Sequence, residues 1–197
     1  MPVPKGATLD PSRTREAILE SATALLYERG LDGIGVAELC AAVGASKETL
    51  YRHFGSKDGL IEAVLENRSR RVLAWIADAA ASADAAPEAR LTAVFRALAT
   101  WYADPGFRGC AIVNAAAQRH TSPATLIAAR HLAGYRDLFT DIAHTAGVPE
   151  PEELGRQFLV LLQGATVVAD HLAAPEAADT ALSAALTLLE AARGPRP

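Results

Sequence analysis

The stretch "ASKETLYRHFGSKDGL", residues 45–60, decides the fold because it holds a turn, a short helix and the start of a second helix. Ser46 is placed to cap the short helix, since a serine hydroxyl accepts hydrogen bonds from the free N–H groups of a first turn. Leu50 and Phe54 lie one turn apart and predict a buried side, and Gly55 predicts the helix end. The polar and aromatic residues between them predict an unusually crowded exposed side.

Two helices are predicted before this stretch. Apolar residues at helical spacing predict one from Pro11 to the stop at Gly30, with Asp10 as its cap. A two-turn helix is predicted over 36–43, ending at Gly44. Two short helices joined by a glycine-containing turn, the second with exposed polar side chains, are typical of a helix-turn-helix.

The rest of the chain shows helical periodicity and no sustained strand-like alternation. We therefore predict an all-α protein: a helix-turn-helix domain over residues 1–55, including an N-terminal arm, and a larger helical domain over residues 56–197. Three of the later helices are expected to begin at prolines, which suit a first helical turn. The helices predicted after the helix-turn-helix cover residues 56–81, 87–103, 110–119, 123–146, 151–173 and 175–193.

Composition places the chain among folded globular proteins, with 197 residues, 50% hydrophobic and 21% charged. The net charge of −4 means that any nucleic-acid binding depends on where a few basic residues lie. The N-terminal residues lack the apolar run of a signal peptide, and Gln163 and Asp170 interrupt the most apolar segment. We expect a cytoplasmic protein without a membrane partner, in which Cys40 and Cys110 are small core residues.

The exposed side of the short helix is suited to entering the major groove of DNA, which admits one α-helix. Lys47 and Arg52 can donate to guanine or phosphate, and Glu48 can accept from cytosine. Lys57, at the next helix start, is suited to a phosphate. The alternative is a solvated face of a three-helix bundle. The residues expected to bind DNA are Ser46, Lys47, Glu48, Thr49, Tyr51, Arg52, His53 and Lys57.

The segment from Thr14 to Leu60 resembles the N-terminal domain of TetR-family transcriptional regulators, through its Leu-Tyr-x-x-Phe core followed by Ser-Lys and an acidic residue. The resemblance implies a homodimer on a near-palindromic double-stranded DNA operator, with Lys47 and Glu48 at the variable reading positions. It also implies phosphate or base contacts at Thr49, Tyr51, His53 and Lys57. Gly35 departs from the hydroxyl residue that commonly caps the family's second helix, so we expect fewer DNA contacts there.

The larger domain is expected to provide dimerisation and ligand binding. The last two helices carry apolar residues on several sides, which predicts a four-helix interface between two subunits; an intramolecular core is the alternative. The predicted dimerisation residues are Leu161, Ala165, Val168, Leu172, Leu182, Leu186 and Leu189. Aromatic and polar groups in apolar surroundings are typical of a pocket, and equally of a core. The predicted ligand-binding residues are Phe95, Trp101, Tyr102, Asn114, Gln118, His131, Tyr135, Asp170 and His171.

The sequence predicts no enzyme, metal site or cofactor, because it lacks a nucleophile elbow, a phosphate-binding glycine loop and metal-ligand spacing. Asp170 and His171 are adjacent on a helix, which is poor geometry for a catalytic pair. A redox role for Cys110 stays open, with Arg108 as the one evident cation nearby in sequence. The interpretation is a TetR-like regulator, most simply a repressor released by a small apolar effector of unknown identity. The alternative is a helical small-molecule binding protein or enzyme that does not read DNA.

Overall fold

A computed structural model describes residues 11–30, 35–118 and 123–193 of the chain. Asp10, expected to cap the first helix, lies outside the described residues. Within these ranges the regular secondary structure is α-helical, without strands, which confirms the all-α prediction. The helices are α1 (Pro11–Arg29), α2 (Val36–Val43), α3 (Lys47–Phe54), α4 (Lys57–Ala81), α5 (Pro87–Tyr102), α6 (Ala111–Gln118), α7 (Pro123–Thr145), α8 (Pro151–His171) and α9 (Ala177–Ala192).

The chain forms two compact units, the first ending at Arg68 and the second beginning at Ser69. The division falls inside α4, beyond the expected boundary at residue 55. The first part of α4 belongs to the first unit, where its buried side chains include Leu60 and Val64.

The first unit is built around short apolar stripes. Ile18 and Ala22 on α1 are buried, and so are Leu39 on α2 and Leu50 on α3. The turn between α2 and α3 depends on Gly44, whose φ of 65° lies in the left-handed region that glycine adopts without steric cost. The predicted bounds of both short helices are confirmed.

The second unit has a core of aromatic side chains contributed by successive long helices. Phe95 on α5 stacks on Phe139 of α7 at 6.1 Å between ring centroids. Phe139 in turn meets the edge of Phe158 on α8 at 5.7 Å. Aromatic rings bury large areas and favour such offset and edge contacts, so these three rings hold α5, α7 and α8 together.

The start of the last helix differs from the prediction. α9 begins at Ala177, and Pro175 lies in a preceding turn in which the Ala178 N–H donates to its carbonyl at 3.3 Å. Proline supplies a fixed φ that suits turns as well as first helical turns, so the proline predicts a helix start two residues before the observed one.

Candidate nucleic-acid interface and effector site

Ser46 fixes the start of α3. Its Oγ accepts a hydrogen bond from the Thr49 N–H at 3.1 Å and lies 2.9 Å from the Thr49 hydroxyl. The predicted cap is therefore present, and it leaves Ser46 itself exposed. Capping at this point sets the direction in which the first turn of α3 presents its side chains.

The outer face of α3 carries opposite charges one turn apart. Arg52 Nη2 donates to Glu48 Oε1 at 2.6 Å, with 66% and 82% of the two side chains exposed. Lys47 Nζ lies 5.5 Å from the ring centroid of Tyr51, within the range of a cation–π contact. Arg52 must leave Glu48 before it can donate fully to a base. An exposed pair of this kind costs only about 0.3–0.5 kcal/mol to break.

The inner face of α3 is anchored. Leu50 is completely buried, and Phe54 is half-buried beneath Arg15 of α1, whose guanidinium lies 5.2 Å from the ring centroid. Thr49 and His53 are also half-buried, at the margins of the exposed face. The division between an anchored and an exposed side agrees with the sequence prediction.

Lys57 is the first residue of α4. The Gly59 N–H donates to Ser56 Oγ at 2.9 Å, so Ser56 caps this helix as predicted. Lys57 is half-buried, which holds its stem near the helix start. A helix N-terminus and a lysine together favour a phosphate oxygen. The first unit thus presents a helix with exposed donors and acceptors, and a cation at the start of the next helix.

The predicted ligand residues occupy several different places in the second unit. Phe95 belongs to the aromatic core. Trp101 is half-buried and meets Trp75 and Phe107 edge to face, at 6.2 Å and 4.9 Å between centroids. Gln118 is exposed, as is His171. No single cavity therefore gathers the whole predicted set among the residues that the structure describes.

Tyr102 is buried and uses its hydroxyl inside the unit. Its oxygen lies 2.8 Å from the Thr166 hydroxyl of α8. Burial raises the pKa of Tyr102 to about 12; the Thr166 hydrogen bond opposes this shift, and the Cys110 thiol adds to it. At neutral pH Tyr102 is therefore an uncharged donor and acceptor in an apolar setting.

Asn114 and Asp170 meet at the backbone of Gly109. The Asn114 amide donates to the Arg108 carbonyl at 3.0 Å. Gly109 has a φ of +68°, and a Cβ there would lie 2.8 Å from Asp170 Oδ2. The adjacent His171 also reaches Asp170, with 3.7 Å between Nδ1 and Oδ2, but 73% of the His171 side chain is exposed. The His171 side chain is therefore largely in solvent, whereas only 22% of the Asp170 side chain is exposed.

His131 lies at the centre of a buried polar chain. Its Nδ1 is 3.0 Å from Ser69 Oγ on α4, and its Nε2 is 3.6 Å from Cys110 Sγ. Tyr135 meets the His131 ring edge to face at 4.9 Å. The sequence singled out His131 and Tyr135 but missed Ser69 and the Cys110 contact, because these residues are far apart along the chain.

Helix α8 exposes a stripe of apolar side chains. Val160, Val167, Val168 and Leu172 are 70%, 55%, 40% and 72% exposed, at spacings that place them on one side of the helix. Gly164 lies within this stripe and is also exposed.

Two predicted dimerisation residues are corrected. Ala165 and Leu189 are 6% and 1% exposed, so both belong to the core of the second unit. Leu161, Leu182 and Leu186 are half-buried. Helices with apolar residues all round give no signal in sequence to tell a core face from an outer face.

The described part of the chain holds no group of three or more histidine, cysteine or acidic side chains arranged to ligate a metal. No helix within it has the length and apolar character needed to cross a membrane.

The arrangement of the first unit has close counterparts among known proteins. Residues 18–64 match the family model described as bacterial regulatory proteins, tetR family. The crystal structure of SCO4454, a TetR-family transcriptional regulator from Streptomyces coelicolor, aligns with a TM-score of 0.83. It is 30% identical and covers 92% of this chain and 96% of that one. The chain belongs to the TetR family.

Other TetR-family proteins are also similar to this chain. A putative TetR regulator from Streptomyces avermitilis is 32% identical with a TM-score of 0.79, covering 94% of this chain and 99% of that one. The HTH-type transcriptional repressor ComR from Escherichia coli K12 is 31% identical over 101 residues, which cover 51% of this chain. Because only 48% of ComR is matched, the chain spans about half the length of this curated relative. The family is one of transcriptional regulators, so the prediction of a TetR-like regulator rather than an enzyme is confirmed at that level.

Proposed function

We propose that this TetR-family chain is a repressor whose first unit binds a near-palindromic DNA operator as a homodimer. A small, largely apolar effector bound in the second unit would release it. The observation that carries the proposal is α3, which is capped by Ser46 and anchored by Leu50, with Lys47, Glu48 and Arg52 exposed on one face.

The geometry supports a division of roles on the first unit. Lys47 and Arg52 can reach base edges through long, exposed side chains. Thr49 and His53 are half-buried at the margins of this face. Together with the exposed Tyr51, they fit contacts to the DNA backbone. Lys57 donates from the start of α4, where free N–H groups also attract phosphate.

The exposed stripe on α8 supports dimerisation. Four large apolar side chains on one helix face form a patch of the kind that marks protein–protein contacts. Gly164 within it would allow the backbones of two helices to approach closely. Leu182 and Leu186 of α9 are half-buried and can complete the interface.

Operator binding tests the central proposal. DNA flanking the gene, or operators selected from random sequence, should bind with an affinity that falls steeply with salt, because neutralised phosphates release counterions. Lys57→Ala should weaken binding to all sequences alike and lower the salt slope by about 2 for a dimer, at about 0.9 per phosphate contact. Lys47→Ala should also change which operator is preferred.

Arg96→Ala is the matched control, since it removes one exposed positive charge from the second unit. It should leave both affinity and preference unchanged. A chain that selects no sequence from random DNA at low salt would contradict the proposal and favour a helical binding protein that does not read DNA.

Dimerisation is tested by placing a charge on the α8 stripe. Val167→Asp should convert the dimer to monomer in light scattering, because a carboxylate in an apolar interface is desolvated without a partner. Leu126→Asp, at an apolar side chain of α7 that is 65% exposed, is the control and should stay dimeric. If Val167→Asp remains a dimer at micromolar concentration, the interface lies elsewhere.

A further inference from the structure

Glu48 and Arg52 lie at the centre of the exposed face of α3. Successive residues of an α-helix are turned by about 100°, so these two positions are about 40° apart and both lie about 160–200° from Leu50. Leu50 is completely buried, whereas 82% of the Glu48 side chain and 66% of the Arg52 side chain are exposed. The two residues, here called the central pair, therefore point away from the side on which α3 is anchored.

The residues beside the central pair lie on two flanks of the helix. Lys47 and Tyr51 share one flank, with 5.5 Å between Lys47 Nζ and the Tyr51 ring centroid. Thr49 and His53 share the other flank, where both are half-buried. A helix that enters the major groove presents the middle of its outer face to the base edges and its flanks towards the phosphates on either side. The central pair is therefore the part of α3 best placed to meet the bases.

The central pair can contact DNA without separating. Arg52 Nη2 donates to Glu48 Oε1 at 2.6 Å. A guanidinium has further N–H donors and a carboxylate has a second acceptor oxygen, so Arg52 must leave Glu48 only if it is to use every N–H group for DNA. The paired charges also cancel, so the pair is not attracted to phosphate as an unpaired arginine would be. A neutral unit with free donors and acceptors is suited to base edges rather than to the backbone.

The donors and acceptors of the central pair match the major-groove edge of one G·C base pair. Guanine presents N7 and O6 as acceptors, and the cytosine paired with it presents the N4 amino group as a donor. O6 and N4 are about 2.9 Å apart, because a base-pairing hydrogen bond joins them. The 2.6 Å between Arg52 Nη2 and Glu48 Oε1 is close to that separation, so Arg52 can donate to guanine while Glu48 accepts from cytosine.

A T·A base pair matches the central pair less well. It also sets an acceptor, thymine O4, beside a donor, adenine N6. However, it places the thymine methyl group where Arg52 would find guanine N7, and it places adenine N7, an acceptor, next to Glu48. The G·C pair thus satisfies Arg52 at two acceptors and presents no second acceptor to the carboxylate.

We propose that Glu48 and Arg52 together recognise one G·C base pair in each operator half-site. Arg52 donates to guanine O6 and N7, and Glu48 accepts from N4 of the paired cytosine. The inference rests on the proposed function and names a base pair that the operator must contain. Because each residue holds the other in position, both act on the same base pair, and the preference for that pair requires both.

Glu48 also weakens binding to DNA that lacks the operator. Its carboxylate cancels the charge of Arg52, and in Glu48→Ala the guanidinium becomes available to a phosphate. Each phosphate that a protein neutralises steepens the fall of log affinity with log salt by about 0.9, so a dimer of this variant should gain a slope of about 2. Glu48→Ala should therefore bind non-operator DNA more tightly at low salt, while it discriminates less between sequences.

Operator selection from random DNA tests the inference, and the variants should fold because both side chains are exposed. In the operator that the unmodified protein selects, replacing the proposed G·C pair by T·A should weaken binding about tenfold or more. Glu48→Ala and Arg52→Ala should each remove most of this preference, and the double variant should lose no more than either single variant. Losses that add, or that fall on two different base pairs, would overturn joint recognition.

Glu38→Gln is the matched control. Glu38 is also an exposed glutamate paired with an arginine of the first unit, Arg29, but it lies on α2. The variant removes one negative charge and leaves the central pair intact, so the preference for the G·C pair should not change. The same loss of preference in Glu38→Gln would show that net charge sets it, and would overturn the inference.

Base analogues locate the contact in the groove. Inosine in place of guanine keeps N7 and O6 and lacks only the amino group in the minor groove, so binding should be unchanged. The analogue 7-deazaguanine lacks N7, so binding should weaken several-fold, and this loss should disappear in Arg52→Ala. Unchanged binding to the 7-deazaguanine operator, or weaker binding to the inosine operator, would overturn the contact assigned to guanine.

Failure of this inference and failure of the proposed function give different results. A protein that selects no sequence from random DNA at low salt contradicts the proposed function. A protein that selects an operator in which no G·C preference depends on Glu48 and Arg52 overturns this inference alone. An affinity of Glu48→Ala for non-operator DNA equal to or below that of the unmodified protein would overturn the role of Glu48 in limiting nonspecific binding.

Discussion

Two glycines on α8 allow the packing between α7 and α8 to be measured against a reference on the same helix. A Cβ on Gly155 would lie 2.9 Å from the Thr140 backbone nitrogen and 3.1 Å from its Cα, and closer still to its hydroxyl. A Cβ on Gly164 would meet nothing within 4 Å. Both glycines are inside the helix, so each alanine substitution gains about 1 kcal/mol of helix propensity. The difference between the two variants isolates the packing cost.

We expect Gly155→Ala to be about 1–3 kcal/mol less stable than Gly164→Ala, the usual cost of forcing extra volume into a packed core. The close contacts at Gly155 involve backbone atoms, which cannot rotate away as a side chain can, so α7 and α8 must separate. For a chain of this size the difference corresponds to about 2–4 °C in Tm per kcal/mol.

Urea unfolding followed by tryptophan fluorescence is the appropriate assay, because both tryptophans, Trp75 and Trp101, lie in the second unit. Measurements at two protein concentrations separate the stability of the unit from that of a dimer formed through Gly164. Thr140→Ala combined with Gly155→Ala should recover part of the loss, since the hydroxyl contact is relieved and the backbone contacts remain. If the two single variants differ by less than about 0.5 kcal/mol, the reasoning about this helix contact is wrong.

Two further predictions concern the caps and the buried phenol. Ser46→Ala should lower the stability of the start of α3 by about 1 kcal/mol, and hydrogen exchange of the amide that Ser46 caps should become about fivefold faster. Ser56→Ala is the control and should affect only α4. The pKa of Tyr102 is raised from 10.0 to about 12 in the folded state, so the stability it contributes is present below pH 10 and is lost as pH rises towards 12. In urea titrations, Tyr102→Phe should reduce the loss of stability that occurs as pH rises above 10. At neutral pH the same variant should be about 1 kcal/mol less stable, because the contact with Thr166 is lost. Tyr51→Phe is the control and should lose stability with rising pH as the unmodified protein does.

Much of the first unit could be predicted because its signals are local. Ser46 and Ser56 cap amides three residues away, and Gly44 and Gly55 end helices at their own positions. Such features depend on residues within one helical turn, so they can be predicted from adjacent positions in the sequence.

The contacts of the predicted ligand-binding residues could be predicted only in part, because the contacting residues are distant in sequence. His131 was singled out for its polarity, but its partners Ser69 and Cys110 are 62 and 21 residues away. The orientation of α9 was also undetermined: its apolar residues lie on several sides, and only the packed structure shows that Leu189 is buried. Which residues contact each other over long sequence distances depends on how the helices pack. Helix packing follows only general tendencies, so single residues do not predict it.

The position of the boundary inside α4 determines how the protein can be divided into fragments. A DNA-binding fragment that stops at residue 55 would leave out Leu60, Ile61, Val64 and Leu65, all of them buried side chains of the first unit. It would also leave out Arg68, whose guanidinium lies 4.1 Å from the ring centroid of Tyr27 on α1. Anyone who transplants this unit onto another effector domain should therefore join the chains after Arg68 and keep the helix unbroken.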